Sequence, residues 1–390
     1  MAATEEMYGT RQWFELRDTV NRPGGSDFYR GAIALAFNQP ASAEKIFAKL
    51  FGQTPDSREA LEARRLLAVW FSFTGQHRRS LRQYALFHRS TPSTPGVERE
   101  LQERKIWARY PNLEVRRRRA SALRYTEKDG DLFLPVSING SQARFLIDTG
   151  ANTSVISESE ARRIGMKIEN APGLQMHDAA GASSGYRIAV AKELAVGGNL
   201  LGNVSFLVVS DERMPFSQLP AGERGILGLP VLFALQTIRW DHKGTVEIGF
   251  QPGPFRLEAA NLCFSGDGPH LVAKGELGGR PVYMVVDTGD MKSRFLPYFA
   301  TSFEEYVRDR GQQGETLLQA MVGSRRAAAV ILPETEVLVG GRVTKLRRAE
   351  LISNHSPFGA ARYHLWLGSD LLKQADEVSI DFRSMKFRLK

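Results

Sequence analysis

The stretch NGSQARFLIDTG, Asn139 to Gly150, returns in altered form as LGGRPVYMVVDTG, Leu277 to Gly289. Downstream of each comes a second shared phrase, GILGLPVL from Gly225 and LWLGSDLL from Leu365. The aspartate and the glycine of the second phrase, Asp148 and Gly228 or Asp287 and Gly368, stand 80 residues apart in one copy and 81 in the other. From that glycine to the next strand aspartate, Asp241 or Asp381, is 13 residues in both. Three anchors at matched spacing read as an internal duplication.

Around these anchors, short apolar runs alternate with Gly, Asn and Asp turns: Leu132–Ile138, Ala143–Ile147, Ile188–Leu194 and Val204–Val209. This pattern predicts an all-β region from residue 129 onward. Ahead of it, from about Asp27 to Tyr110, the apolar spacing is helical. Phe28, Ala32, Leu35 and Ala36 share one face, and Ala43, Ile46, Phe47 and Leu50 another. A second pair of helices is predicted over Leu61–Phe73 and Ser80–Phe87, divided at Thr74-Gly75. Thr54-Pro55-Asp56-Ser57 is expected to start a helix with its proline near the first turn, and Pro40 to punctuate. Ala43, Phe47 and Leu50 recur 37 residues on as Ser80, Tyr84 and Phe87. The small/aromatic alternation resembles tetratricopeptide repeats; a generic helical bundle fits the same residues.

The chain is 390 residues long, 42% hydrophobic and 24% charged, which excludes a disordered or collagen-like chain and suits two or three domains. One cysteine, Cys263, excludes an internal disulfide and a cysteine-based zinc cluster. No apolar run is long enough to span a membrane. Residues 1–125 carry 22 Lys+Arg against 13 Asp+Glu, while the remainder is balanced at 30 and 30, so the net charge of +9 lies in the first third. The four arginines Arg116–Arg119 lack the aromatic interleaving of a nucleic-acid interface and read as a solvated linker. The division expected is a helical domain over 1–115, a basic linker over 116–128, and two β lobes over 129–255 and 256–390. The start of the sequence lacks a signal-peptide pattern, which suits either a cytoplasmic protein or a trimmed leader.

Two copies of apolar-apolar-Asp-Thr-Gly, each followed some eighty residues later by apolar-apolar-Gly, resemble the aspartic peptidases. The short lobes look most like their bacterial retropepsin-like branch. The resemblance covers about residues 129–390. It implies a bilobal, pseudo-two-fold all-β fold that hydrolyses peptide bonds through Asp148 and Asp287, with no cofactor and no metal. A single chain carrying both lobes would need no dimerisation to build its site. Thr149 and Thr288 would hold the two loops in register, Gly150 and Gly289 would let the backbone turn, and Gly228 and Gly368 would mark where another strand crosses each loop. A flap over the substrate is expected at Gly181, Ser183, Gly185 and Tyr186, where an ordinary surface hairpin is the rival reading. Its counterpart falls near Met321, Val322, Gly323 and Ser324. Asp290 departs from the pattern, which usually has a small or hydroxyl residue there; it either modulates the dyad or points to solvent. The resemblance also suggests a periplasmic or secreted location, and a protein partner for the helical region.

Two other functional classes fit parts of the sequence. Gly181-Ala182-Ser183-Ser184-Gly185 has the form of a serine-hydrolase elbow, but such an elbow lies between a strand and a helix, whereas strand-like residues follow here. A silent aspartic-peptidase fold that binds peptides or scaffolds other proteins is the more serious rival. Retention of both aspartates, both threonines and both following glycines speaks against it.

Overall fold

The computed structural model describes residues 2–20, 25–128, 130–177, 183–266, 268, 270–319, 323–352 and 356–390. Seven helices come first among these: α1 (Ala2–Gly9), α2 (Trp13–Val20), α3 (Asp27–Ala36), α4 (Pro40–Gln53), α5 (Arg58–Phe73), α6 (His77–Arg89) and α7 (Pro95–Trp107). Side-chain oxygens open three of them. Ser26 accepts from Phe28 N, Ser57 from Ala60 N and Thr94 from Val97 N, each satisfying a donor that has no partner inside the helix.

The expected start at Pro55 is displaced, because Ser57 caps α5, and it is Pro40 that occupies the first turn of α4. Neither α1 nor α2 was signalled by the apolar spacing. Helices α3 with α4, and α5 with α6, form two hairpins. The first is close enough that a methyl group on Gly31 would sit 2.3 Å from the Phe47 ring.

The rest is β-rich. One sheet is drawn from residues 114–228, a second from residues 262–367, and a third joins five strands from distant parts of the chain. The third runs in the order Ser121–Arg124, Thr245–Ile248, Thr237–Asp241, Glu377–Asp381, Lys386–Leu389. Its centre pairs the two strands that end in Asp241 and Asp381, antiparallel with Arg239 opposite Ser379. Both carboxylates then close tight turns: Asp241 accepts from the Lys243 and Thr245 amides, Asp381 from those of Arg383 and Ser384.

Residues 116–128, expected as a linker, are woven into the sheets instead. Glu114–Arg117 pairs with the strand Asn199–Val209, Ser121–Arg124 with Thr245–Ile248, and Thr126–Lys128 with Asp131–Ile138. The arginines remain exposed, as their charge requires, while the backbone between them supplies edge strands.

The helices share a core with the strands. Trp70 and Phe73 of α5 pack against Phe233 and Phe264 with ring centroids 5.2–5.7 Å apart, and Phe14 of α2 stacks on Tyr283 at 5.5 Å. Polar ties accompany them: Trp13 Nε1 donates to Ser265 O at 2.8 Å, Arg17 to the carbonyls of Leu257 and Ala260, and Asn38 Nδ2 to Phe382 O at 2.6 Å. Cys263 is buried within this core with its thiol free.

Candidate active site

The strand Ser141–Asp148 buries Phe145, Leu146 and Ile147, and the strand Arg280–Val286 buries Met284, Val285 and Val286. Burial of these runs fixes where each strand ends, so Asp148 and Asp287 emerge at defined points. A second strand then passes alongside, parallel to the first in both cases. Gly228 comes into register with Asp148, and Leu367 with Val286.

A side chain at either crossing would collide with backbone. A Cβ on Gly228 would lie 2.7 Å from the Thr153 carbonyl carbon, and one on Gly368 would lie 2.6 Å from Asp290 O. Two serines complete the crossings. Ser154 Oγ accepts from Gly228 N at 3.0 Å and Ser293 Oγ from Gly368 N at 2.8 Å. Both follow their aspartate by six residues, a matched spacing that the sequence carried and the motif reading passed over.

The two loops meet through their threonines. Thr149 N donates to Thr288 Oγ1 at 3.0 Å, and Thr288 N to Thr149 Oγ1 at 3.0 Å. Each hydroxyl then donates across the junction, Thr149 to Val286 O at 2.8 Å and Thr288 to Ile147 O at 3.0 Å. Four buried hydrogen bonds thus lock the aspartates face to face, and their carboxyl groups interact directly. The glycines are needed for this approach: a methyl on Gly150 would meet the Asp287 carboxylate at 2.3 Å, and one on Gly289 the Asp148 carboxyl at 2.5 Å.

Burial raises both carboxyls above the ordinary aspartate range, and for Asp287 the charge of Asp148 adds to it. Backbone amides pull the other way. Gly150 N and Ala151 N donate to Asp148 Oδ1 at 2.7 and 3.1 Å, and Gly289 N to Asp287 Oδ1 at 3.0 Å. The indole of Trp366 donates to Asp287 Oδ2 at 2.9 Å. That contact was not anticipated, although a tryptophan where the first copy has Ile226 was visible in the aligned phrases.

Asp290 does not point to solvent. Its carboxylate holds Arg294 Nη1 at 2.8 Å and accepts from Lys292 N at 2.9 Å. Burial pushes it up to about 6, Arg294 opposes this, and Asp287 adds to it. Arg294, Lys292 and Thr316 all gather on buried Glu350.

The dyad opens into a cleft of about 1140 Å³. One of its walls is helical, with Phe73, His77, Glu103 and Trp107 among its lining residues. The expected flap is a hairpin of Ile168–His177 and Ser183–Val196; its tip, including Gly181, lies outside the described residues. Ser183 and Gly185 pair with His177 and Gln175 along the hairpin, so Ser183 opens a long strand and not a helix. Tyr186 is buried, lines the cleft and donates to Glu103 Oε1 at 3.4 Å. In the second sheet Gln312–Gln319 and Ser324–Leu332 form another hairpin, whose Thr316 and Leu317 reach the cleft. Met321 and Val322 of the expected counterpart lie outside the described residues; Gly323 immediately precedes its second strand.

Residues 134–232 match the family model described as "gag-polyprotein putative aspartyl protease". No curated protein matches the chain. Among solved structures, a retropepsin-like aspartic protease from Rickettsia conorii is 17% identical over 35% of this chain and 92% of its own, with a TM-score of 0.25. An aspartic proteinase from Irpex lacteus is 11% identical over 69% and 96%, at a TM-score of 0.41. Basic 7S globulin from soybean is 10% identical over 70% and 94%, at 0.37. The stretch that holds Asp148, its loop and its crossing strand therefore carries an aspartyl-protease sequence pattern.

Proposed function

We infer that the chain is an aspartic endopeptidase whose two catalytic groups, Asp148 and Asp287, come from the two halves of one duplicated β unit. The observation that carries this is the reciprocal threonine lock, which spends four buried hydrogen bonds on holding two carboxyls against each other. Two adjacent carboxyls that share one proton perform acid and base steps together. The ionised one removes a proton from water as its oxygen attacks the peptide carbonyl, and the protonated one donates to the carbonyl oxygen. Collapse of the resulting diol passes a proton to the leaving nitrogen and restores the pair.

An extended peptide fits the open cleft between two hairpins, where main-chain hydrogen bonds can add it as a further strand. Since both aspartates lie in one chain, the active species is a monomer, and light scattering on the active fraction checks this. In the repeat-like helical region the two hairpins support docking beside the cleft rather than an independent module.

Incubation of a mixed peptide library between about pH 3 and pH 8, read by mass spectrometry, tests the proposal. Wild type is expected to cut, with cleavage blocked by a statine-type inhibitor. Asp148→Asn and Asp287→Asn are expected to lose roughly 1,000-fold or more. Cuts that survive in both variants would sink the dyad, and absence of any cut by wild type would favour the silent, peptide-binding reading.

A further inference from the structure

An apolar floor leads from the dyad to the helices. Leu146 precedes Asp148 by two residues and so shares its face of the strand. It is in register with Ile226 on the next strand, Ile226 with Val155, and Val155 with Leu207. All four line the cleft. Strands spaced about 4.8 Å apart carry this row roughly 14 Å across the sheet. At its far end the helical region takes over. Ser205, two residues before Leu207, lies 3.5 Å from His77 Nε2, and the His77 ring stacks on Trp107 at 5.3 Å. Glu103 stands one helical turn before Trp107, on the same face of α7, and both line the cleft.

The charge of Glu103 is not balanced within the wall. Its Oε1 accepts from the Tyr186 hydroxyl at 3.4 Å. Burial and the charge of Glu103 hold Tyr186 above the ordinary tyrosine range, so this donor is neutral and cancels no charge. Burial lowers His77 to about 4, so its ring adds no positive charge near neutral pH. Among the described residues no lysine or arginine pairs with Glu103. Lys292 and Arg294, which line the cleft elsewhere, are gathered on Glu350, and Arg294 also on Asp290. A carboxylate beyond an apolar floor suits one kind of side chain. Lysine and arginine lay an apolar stem along such a surface and carry a charge at the tip. An aliphatic side chain leaves the carboxylate without a cation, and an acidic one meets repulsion.

We propose that Glu103, a residue of the helical region, determines specificity by seating a lysine or arginine side chain of the bound peptide. The proposal rests on the endopeptidase reading for the extended form of its ligand. It gives the helices a share of substrate recognition: the β strands hold the peptide backbone across the dyad, and α7 selects a basic side chain at one fixed position along it.

The test is equilibrium binding to the full chain, read by fluorescence polarisation, which needs no turnover. Labelled peptides with a central statine carry lysine at each position in turn, and matched sets carry norleucine or glutamate there. At one position lysine is expected to bind roughly 10-fold tighter than norleucine. Glu103→Gln keeps an acceptor for the Tyr186 hydroxyl and removes only the charge. It is expected to equalise the two peptides while the norleucine affinity stays unchanged, and Glu103→Lys to favour glutamate. Equal binding of lysine and norleucine at every position, a lysine preference that survives in Glu103→Gln, or no binding of any peptide overturns the proposal. A salt series on wild type decides the matter even if the variants do not fold. The lysine preference should shrink between about 0.05 and 1 M salt, and one that stays constant overturns the proposal. The two readings fail separately. A wild type that prefers the lysine peptide yet cuts no statine-free counterpart defeats the endopeptidase reading and leaves the role of Glu103 standing. One that cuts without regard to lysine defeats the role of Glu103 alone.

Discussion

A carboxyl at the end of a buried strand, facing a second carboxyl, resists ionisation, and in Asp148 and Asp287 this resistance opposes folding. Their pKa values are raised in the native state, so the native state holds their protons more tightly than the unfolded chain does. The favourable contribution is complete below about pH 4, the unfolded aspartate value, and is lost as pH rises through the native one. Asp287→Asn is therefore expected to raise Tm at pH 7 and to leave it unchanged near pH 3, by calorimetry at both values. The threonine lock has the opposite character. Thr288→Val removes the acceptor of the buried Thr149 amide and the donor to Ile147 O, at a cost of about 1–3 kcal/mol in urea unfolding. Thr288→Ser keeps the hydroxyl and should recover most of it. Gly150→Ala forces its methyl into the Asp287 carboxylate. A displacement of about 1 Å there is expected to cost roughly 100-fold in kcat while the far-UV spectrum is unchanged.

Helix α7 and the turn after it are what the hairpin of Ile168–His177 and Ser183–Val196 rests on. Trp107 packs in one cluster with Ala171, Leu174, Tyr186 and Ile188 of the hairpin, and Tyr110 donates to Glu169 Oε2 at 2.8 Å at its base. With Glu103 holding the Tyr186 hydroxyl, the hairpin is tied to the helices at both levels. Trp107→Ala is expected to speed amide exchange across residues 168–196 well before it speeds exchange in the strand Arg280–Val286. Equal acceleration in both would show that the cluster has no local role. The helical pattern and the β pattern were each legible from spacing, because periods of 3.6 and 2 leave different marks. Their contact was not, since nothing in the spacing of α7 says which surface its aromatic face will meet. The same limit hid the short helices α1 and α2: in α2 the buried Trp13, Leu16, Arg17 and Val20 recur at helical spacing, but over only two turns.

At the scale of the whole molecule, two buried histidines set an acid limit. Burial lowers His77 and His364 to about 4, and His364 Nδ1 accepts from Tyr283 N, which only the neutral ring can do. Because these values are depressed, the stability they allow is present above about pH 6.5 and is lost as pH falls toward 4, up to about 3 kcal/mol for each. His77→Phe should flatten the dependence of Tm on pH between these values, leaving the His364 share. A chain beginning at Ser121 is expected to bind a hydrophobic dye and lose near-UV signal, because it uncovers Phe233, Phe264 and Tyr283 and removes the strand Glu114–Arg117. The sequence alone marked a helical part and a β part, and singled out Asp148 and Asp287 by the matched phrases around them. Local periodicity and repeated spacing are properties of the chain and survive without its neighbours. Only the tertiary structure decided that the basic segment is strand and not linker, that helices wall the cleft, that Asp290 is held by Arg294, and that Trp366 reaches Asp287. Apart from Asp290 and Arg294, four residues apart, each of these joins residues whose distance in sequence carries no information about their distance in space.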